Sequence, residues 1–234
     1  MNPAGARLLR IETLDLKLGR YDWAFARDHR EEIETHFETA RQEKPSLWNG
    51  RVLLMHDHSI DSGVLRGVCF ETDFASFMAW RDWGFPDDSV NNCFALGALQ
   101  GSDGSYVLGV MGAHTANAGQ IYFPSGTPDA DDIAGIIVDL EGSVRREVAE
   151  ETGLDLLSFD IDPGWHCVPA GPQTALFKTM RASEPAERIC ARIRGHIANE
   201  PAPELAGAVV ARGPADIDRR MPGFVQVFLR EIGS

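Results

Sequence analysis

The sequence predicts a mixed α/β fold, and three observations favour this class. Short apolar or alternating runs that are typical of strands recur along the 234 residues. Amphipathic stretches with helical spacing separate several of these runs, and Gly or Pro stands at many of their ends. Strands that bracket helices in this way fit a layered arrangement in which helices cover a mixed sheet.

The N-terminal third predicts a small α+β section. Leu9 to Leu18 shows partial alternation and predicts a strand. The amphipathic stretch Asp28–Lys44 predicts a helix that ends before Pro45. Asn49-Gly50 is a turn signal, and it leads into the strand Arg51–Met55. The partner strand and a short helix follow, at Val64–Thr72 and Phe74–Trp83.

The remaining chain alternates predicted strands with two clear helices. The predicted strands are Cys93–Leu99, Tyr106–Met111, Gln120–Phe123, Leu154–Phe159, His166–Val168, Thr174–Met180 and Ala208–Ala211. One helix ends at Gly153 and the other covers Glu184–Asn199. A terminal helix or strand is expected over Gly223–Ile232. The predicted organisation is an extension at 1–88, packed on a larger domain at 89–234.

Composition argues against a nucleic-acid polymer as the partner. Hydrophobic residues make up 44% of the chain and charged residues 24%, as in ordinary soluble domains. The net charge of −13 leaves no basic footprint of the kind that DNA or RNA binding needs. A small phosphorylated substrate remains compatible, because a bound metal can reverse the local potential.

Cysteine usage and hydropathy predict a cytoplasmic protein with no membrane partner. The cysteines form no CxxC pair, and we expect reduced, mostly buried thiols at Cys69, Cys93, Cys167 and Cys190. No run approaches the roughly 18 apolar residues of a membrane span. Met1–Arg10 also lacks the long apolar run of a signal peptide.

The stretch Arg146–Leu154 carries the chemistry. On a helix, Glu147, Glu150 and Glu151 stand at i, i+3 and i+4, so three carboxylates share one face. Such crowding is tolerated when the face is fully solvated or when a hard divalent cation sits on it. Mg²⁺ prefers carboxylate and water oxygens and keeps positions open for substrate phosphates. Asp139 is a candidate N-terminal cap for this helix, and Gly153 is a candidate C-terminal stop.

The string R-E-V-A-E-E-T-G-L resembles the core of the Nudix box. The resemblance implies a Nudix-like α/β/α sandwich with a mixed sheet and an N-terminal α+β extension. It also implies hydrolysis of a nucleoside diphosphate linked to another group X, with Mg²⁺, or Mn²⁺ in its place, on Glu147, Glu150 and Glu151. By similarity, Glu147 is either a third ligand or the general base. Arg146 would hold a carboxylate in place, and a homodimer is common in this family.

The upstream half of the box departs from the family pattern. Gly126 and Arg146 are separated by 19 residues, about six more than the family's usual spacing. No Glu stands at the expected place, where Val138 is found instead. Asp132 keeps the spacing to Gly126 and Asp139 nearly keeps the spacing to Arg146, so either could replace the missing carboxylate.

Further site residues are expected around the box. Pro124-Ser125-Gly126 stands where Nudix proteins usually carry Pro-Gly-Gly, and a Gly suits a sharp bend beneath phosphates. The expected substrate-binding residues are Gly126, Tyr122, His114 and Asn117. Family members often recruit a glutamate from outside the box, for which Glu200 and Glu204 are candidates by position.

The sequence leaves the substrate open between alternatives. Tyr122 to Asp129 resembles the Nudix branch that contains the mammalian UDP-glucose and UDP-galactose hydrolase, which implies cleavage of a UDP-sugar to UMP and sugar 1-phosphate. Pro169 stands where ADP-ribose hydrolases often carry a proline, so ADP-ribose or another nucleotide is the rival. A Nudix domain that binds a nucleotide without cleaving it is the alternative from another class.

Overall fold

The structure is a computed structural model that describes residues 6–232, and within that range it has a mixed α/β fold with two mixed sheets and six α-helices. Residues 1–5 and 233–234, the ends of the two predicted domains, lie outside the described residues. The strands are β1 (Leu9–Ile11), β2 (Thr13–Leu18), β3 (Arg51–Asp61), β4 (Val64–Asp73), β5 (Asn92–Gln100), β6 (Tyr106–Met111), β7 (Ile121–Tyr122), β8 (Ile133–Ala134), β9 (Ile137–Val138), β10 (Phe159–Ile161), β11 (Trp165–Ala170), β12 (Gln173–Ala182) and β13 (Leu205–Ala211). The helices are α1 (Ala24–Asp28), α2 (Arg30–Glu43), α3 (Phe74–Asp82), α4 (Leu140–Thr152), α5 (Ala186–Ile197) and α6 (Gly223–Glu231).

The larger sheet has eight strands in the order β1-β11-β12-β5-β6-β13, with β10 on β12 and β7 on β6. The central pair, β12 and β5, is parallel, and the other pairs of this sheet are antiparallel. The central strand β5 is buried over nearly its whole length, as expected for a strand that is covered on both faces.

Helices cover both faces of this sheet. On β5, the face on which a side chain of Gly97 would lie is covered by Val148 of α4. Phe94, three residues earlier on the same strand, points to the other face and contacts Phe224 of α6. Because successive strand residues point to opposite faces, α4 and α6 lie on opposite sides of the sheet. The predicted α/β/α sandwich with a mixed sheet is therefore confirmed.

The smaller sheet has five strands in the order β3-β4-β2-β9-β8. The helices α1 to α3 pack on it through a separate apolar cluster that includes Trp23, Ile33, Phe70 and Trp80. Trp80 is fully buried in this cluster, and its indole N–H donates a hydrogen bond to the Asp87 carbonyl at 2.8 Å.

The two sheets exchange strands. β1 pairs with β11 of the larger sheet, although β1 belongs to the N-terminal section. In return β9, from the segment that precedes α4, pairs with β2 of the smaller sheet. Ile11, Leu16 and Leu53 accordingly belong to the same continuous apolar core as the larger sheet. The boundary between 88 and 89 stays a prediction.

Most predicted elements are present, and three differ locally. The predicted strand at 9–18 is two strands, β1 and β2, that join different sheets. Asn49-Gly50 precedes β3 as predicted but is not itself a hairpin turn, and the hairpin turn that joins β3 to β4 lies at Ser62-Gly63, both with positive φ. The strand predicted at 154–159 contains a 3₁₀ turn at Leu156–Ser158, and the strand β10 begins only at Phe159.

Two further observations bear on the sequence-based expectations. The four cysteines are free and buried, as predicted. Between residues 6 and 232, none of the helices has the length and apolar character needed to cross a membrane.

Candidate active site

The helix α4 begins and ends where its capping residues predict. Asp139 is the N-cap, and its Oδ1 accepts a hydrogen bond from the Gly142 amide at 2.9 Å. Gly153 follows the last turn in the left-handed conformation, with φ +65°. These two ends place Glu147, Glu150 and Glu151 in the last two turns, on a single side of the helix.

Five glutamates line one cavity of about 210 Å³. Three come from α4, and two come from the segment between α5 and β13. The lining residues are Glu147, Glu150, Glu151, His196, Glu200, Ala202, Pro203 and Glu204. The cavity thus combines the predicted acidic face of α4 with both glutamates that were candidates from outside the motif.

Glu151 is the most deeply buried of these carboxylates, at 7% exposure. Its Oε1 accepts a hydrogen bond from the Ser125 amide at 3.1 Å, whereas its buried Oε2 has no partner among the described residues. Burial raises the pKa of Glu151 to about 9, and the nearby Glu204 carboxylate adds to the rise. An unpartnered, buried carboxylate oxygen is costly unless a cation or a proton satisfies it.

The Glu147 carboxylate lies beside the backbone of Gly126. A Cβ atom at Gly126 would overlap the Glu147 carboxylate, so a larger residue here would require the Glu147 side chain to move. Gly126 does not have a positive φ, so close approach rather than an unusual backbone conformation explains the glycine. Burial raises the pKa of Glu147 to about 7, with Arg146 opposing the rise.

The loop after α5 brings Glu204 to the cavity. Glu204 as a whole is exposed, but partial burial of its carboxyl group raises the pKa of this side chain. The backbone of Glu204 is anchored, because its carbonyl accepts a hydrogen bond from the Gly112 amide at 2.8 Å. On the same side, the ring of His196 contacts the Glu150 carbonyl at 3.3 Å and the Glu200 carboxylate at 3.7 Å.

Asp132, rather than Asp139, is the carboxylate that pairs with Arg146. The Asp132 side chain is fully buried, and its Oδ1 accepts a hydrogen bond from Arg146 Nη2 at 2.9 Å. The same guanidinium nitrogen lies 3.7 Å from Glu147 Oε1. Asp139 caps α4, so of the two aspartates that the spacing left open, Asp132 is the one that contacts Arg146.

The expected substrate-binding residues lie near the carboxylates. Tyr122 is 7% exposed, and its hydroxyl accepts a hydrogen bond from Asn117 Nδ2 at 3.1 Å. Burial raises the pKa of this hydroxyl, and the charges of Glu151 and Glu204 act in the same direction. His114 is exposed, and its ring lies near the Glu204 carbonyl, since a Cβ atom at Gly112 would crowd both groups.

The cavity fits a divalent cation by the chemistry of its donors. The possible donors are the carboxylates of five glutamates and the imidazole of His196. One of these donors, the buried Oε2 of Glu151, has no hydrogen-bond partner among the described residues. As the side chains stand, residues 6–232 contain no group of three or more His, Cys, Asp and Glu that could hold a metal ion. Binding would therefore require some glutamate side chains to turn toward a common point.

Comparisons with known proteins give a likeness of fold to solved structures. No known protein-family profile matches the sequence, and no curated protein matches it. The chain is similar in structure to a Nudix hydrolase from M. Smegmatis, RenU, with a TM-score of 0.38 and 16% sequence identity. The likeness covers 57% of this chain and 78% of that one.

Two contributors to the site were not expected from the sequence. His196 lines the cavity. The only feature of the sequence that could have indicated this is its position on α5, beside the apolar stripe and four residues before Glu200. The Ser125 amide holds Glu151, and a backbone donor of this kind has no sequence signal beyond its place beside Gly126.

Proposed function

We propose that this protein is a Mg²⁺-dependent pyrophosphohydrolase of the Nudix type, which cleaves the diphosphate of a nucleoside diphosphate-X compound. The observation that carries this proposal is the cavity lined by the glutamates of α4 together with Glu204, in which the buried Oε2 of Glu151 has no partner. The motif Arg146–Leu154 supplies the reaction class by resemblance.

The residues of the cavity have separable tasks in this proposal. Glu150, Glu151 and Glu204 hold the cation, and Glu147 either joins them or accepts the proton of the attacking water. When bound, a divalent cation supplies charge neutralisation at the diphosphate and activation of water. In the metal-free protein Glu147 has a pKa of about 7, and a carboxylate with such a pKa suits a general base near neutral pH.

Neighbouring groups keep the carboxylates in place. Arg146 donates to Asp132 and forms an ion pair with Glu147, so its role in this proposal is to orient Glu147. The Ser125 amide fixes one oxygen of Glu151 and leaves the other free for a cation. The hydroxyl of Tyr122, held by Asn117, can donate its proton to a phosphate oxygen.

A UDP-sugar is the proposed substrate, with UMP and sugar 1-phosphate as products. Support comes from the resemblance of Tyr122 to Asp129 to the branch that acts on UDP-glucose and UDP-galactose. ADP-ribose is the substrate to compare with it directly, because both compounds present the same diphosphate to the carboxylates and differ in the groups at either end.

The experiment measures release of nucleotide and phosphorylated product from UDP-sugars, ADP-ribose, dinucleoside polyphosphates and CoA, with Mg²⁺ or with EDTA. We expect one substrate class to be cleaved in the presence of Mg²⁺ and none to be cleaved in EDTA. The Glu151→Gln variant should lose at least about 100-fold in kcat, because one cation ligand is removed. Glu187→Gln is the matched control, because Glu187 is an exposed carboxylate on α5 outside the cavity.

Three other outcomes would count against the proposal. Cleavage that persists with EDTA would contradict a metal-dependent reaction. Cleavage by Glu151→Gln at the wild-type rate would contradict the assignment of the cation to this cavity. Binding of a nucleotide without turnover across the whole panel would favour a non-catalytic nucleotide-binding domain.

A further inference from the structure

His196 is the one side chain with an N–H group among the residues that line the glutamate-lined cavity. It lies in the last turn of α5, just before the segment that carries Glu200 and Glu204. The cavity is lined on one side by the acidic face of α4 and on the other by this end of α5. His196 therefore stands where the two groups of glutamates face each other.

The imidazole ring of His196 contacts both groups through a single nitrogen. Its Nε2 lies 3.3 Å from the carbonyl oxygen of Glu150 on α4 and 3.7 Å from Oε1 of Glu200. Both of these oxygens are acceptors, so the arrangement requires a proton on Nε2. One N–H group thus joins the end of α4 to the segment that follows α5.

The end of α4 benefits from a donor that comes from outside the helix. The last carbonyl groups of a helix have no N–H partner within it, and they form the negative end of the helix dipole. Glu150 and Glu151 add two carboxylates to this end, and the last turn of α4 contains no basic residue. The hydrogen bond from His196 to the Glu150 carbonyl offsets part of this excess negative charge.

Gly153, the residue after α4, leaves room for the His196 ring. A Cβ atom at this position would overlap Nδ1 and Cγ of His196, so the ring lies directly against the backbone of Gly153. Gly153 also has φ +65°, the left-handed conformation that ends α4. The glycine of the motif therefore serves both the helix end and the close approach of a residue from α5.

We propose that His196 is a positioning residue for the cation site, which holds the last turn of α4 and the Glu200 carboxylate in a fixed relation to each other. The ring is itself held, since Nδ1 faces the Gly153 backbone and Nε2 faces the Glu150 carbonyl. A fixed last turn places Glu150 and Glu151 before the cation arrives, so less conformational entropy is lost on binding. The inference deepens the proposed function and rests on its assignment of a divalent cation to this cavity.

The alternative is that His196 serves only as a cap for α4. In that case its removal would lower the stability of the protein and leave the cation affinity of the folded state unchanged. The two roles therefore differ in what they predict for the Kd of the cation relative to the melting temperature. A conservative variant that keeps an N–H group at this place separates them further.

The first test measures the Kd for Mn²⁺ by electron paramagnetic resonance, and the melting temperature in EDTA, for wild type, His196→Leu, His196→Gln and His36→Leu. His36 is the matched control, because its side chain is 29% exposed, compared with 28% for His196, and contacts Asp82 at 3.0 Å outside the cavity. For His196→Leu we expect the Kd to rise at least about tenfold, as for residues that orient metal ligands. His196→Gln should recover part of this loss, because its amide N–H can replace Nε2–H as the donor to Glu150.

Mn²⁺ binding needs no turnover, so this test separates the positioning role from the proposed hydrolysis. If the wild type binds Mn²⁺ and cleaves no substrate, a tenfold change in His196→Leu would still support the positioning role. A Kd that is unchanged in His196→Leu would overturn it, even if the wild type is an active hydrolase. Absence of Mn²⁺ binding by the wild type would overturn it as well.

The second test probes the contact between His196 and Gly153 through Gly153→Asn, made in the wild type and in His196→Ala. Asparagine tolerates the left-handed conformation, so the cost of this substitution arises mainly from the overlap of its Cβ atom with the His196 ring. We expect Gly153→Asn to lower the urea midpoint of unfolding in the wild type, and to lower it less in His196→Ala. Equal shifts in the two backgrounds would show that the ring does not lie against Gly153, and they would overturn the proposal.

Discussion

A carboxyl group with one buried, unpartnered oxygen can lower its free energy by keeping a proton or by binding a cation, and Glu151 is such a group. Both states are reachable near neutral pH, because burial raises the pKa of Glu151 to about 9. The proton and the cation therefore compete for the same oxygen. Cation binding should release a proton, and it should strengthen as the pH rises.

Without metal, the stability of the protein should fall as the pH rises. The Glu151 carboxyl changes its pKa from 4.5 in the unfolded chain to about 9 in the fold. Between these values the folded state keeps a proton that the unfolded state has lost, so the contribution is complete below about pH 4.5 and disappears toward pH 9. Glu147, with a pKa of about 7, acts in the same direction over a narrower range.

The measurement is urea unfolding in EDTA across this pH range for wild type and Glu151→Gln. The variant carries no titrating group at this position, so its free energy of unfolding should fall less with rising pH. Parallel pH profiles for the two proteins would contradict the raised pKa of Glu151.

The pair formed by Asp132 and Arg146 should matter for activity more than for folding. Asp132→Asn removes the charge that holds Arg146 beside Glu147, and we expect kcat to fall about 10-fold to 100-fold, as for residues that orient metal ligands. Asp139→Asn is the matched control, because asparagine also caps helices well and should preserve both activity and stability. Equal activity of the two variants would show that Asp132 does not orient the site.

At the scale of elements, one glycine on β5 sets how closely α4 approaches the sheet. A Cβ atom at Gly97 would overlap the side chain of Val148, which is fully buried and follows Glu147 in the sequence. The distance between α4 and the sheet therefore depends on Gly97, and the positions of the carboxylates on α4 depend on that distance. Overlap at this point would shift the acidic side of the helix.

Gly97→Ala should destabilise the protein by about 1–3 kcal/mol, as overpacking of a core does. Val148→Ala alone should also destabilise it, because it leaves a cavity. The double variant should be less destabilised than the sum of the two single variants, since the smaller side chain leaves room for the new methyl group. Denaturant unfolding of the four proteins measures this coupling, and strict additivity would contradict the close approach of helix and strand.

The segment 127–139, between Gly126 and α4, has an internal structure and is attached to the smaller sheet. Asp129 and Asp132 form reciprocal capping hydrogen bonds in its 3₁₀ turn, and the hairpin β8–β9 follows. β9 pairs with β2 at Lys17 and Ile137, and the Leu18 amide donates to the Ile136 carbonyl at 2.8 Å. This segment therefore connects the smaller sheet to Asp132, the residue that pairs with Arg146.

At the scale of the whole molecule, the exchange of strands makes the two predicted domains interdependent. Removal of the N-terminal section would expose the edge of β11 that β1 covers, and it would leave β9 without β2. It would also remove Ile11, Leu16 and Leu53 from the continuous apolar core. An uncovered strand edge and a lost core face both favour association over folding.

We therefore expect residues 89–234 expressed alone to lack a cooperative unfolding transition or to aggregate. The full chain, treated identically, is the control, and circular dichroism with size-exclusion chromatography is the measurement. A monomeric fragment that unfolds cooperatively near the melting temperature of the full chain would show that the larger domain is independent.

The sequence by itself determined the local features of this protein. Periodicity placed most helices and strands, Asp139 and Gly153 marked the ends of α4, and the spacing of Glu147, Glu150 and Glu151 placed three carboxylates on one helix face. These features depend on neighbours within a few residues, so the pattern of side chains along the chain is enough to predict them.

Only the tertiary structure decided which distant residues meet. It brought Glu204 and His196 to the acidic face of α4, paired Asp132 and not Asp139 with Arg146, and divided the predicted strand at 9–18 between two sheets. Each of these outcomes depends on contacts between elements far apart in the chain. Such contacts follow from the joint packing of both sheets and their helices, and no local pattern in the sequence encodes them.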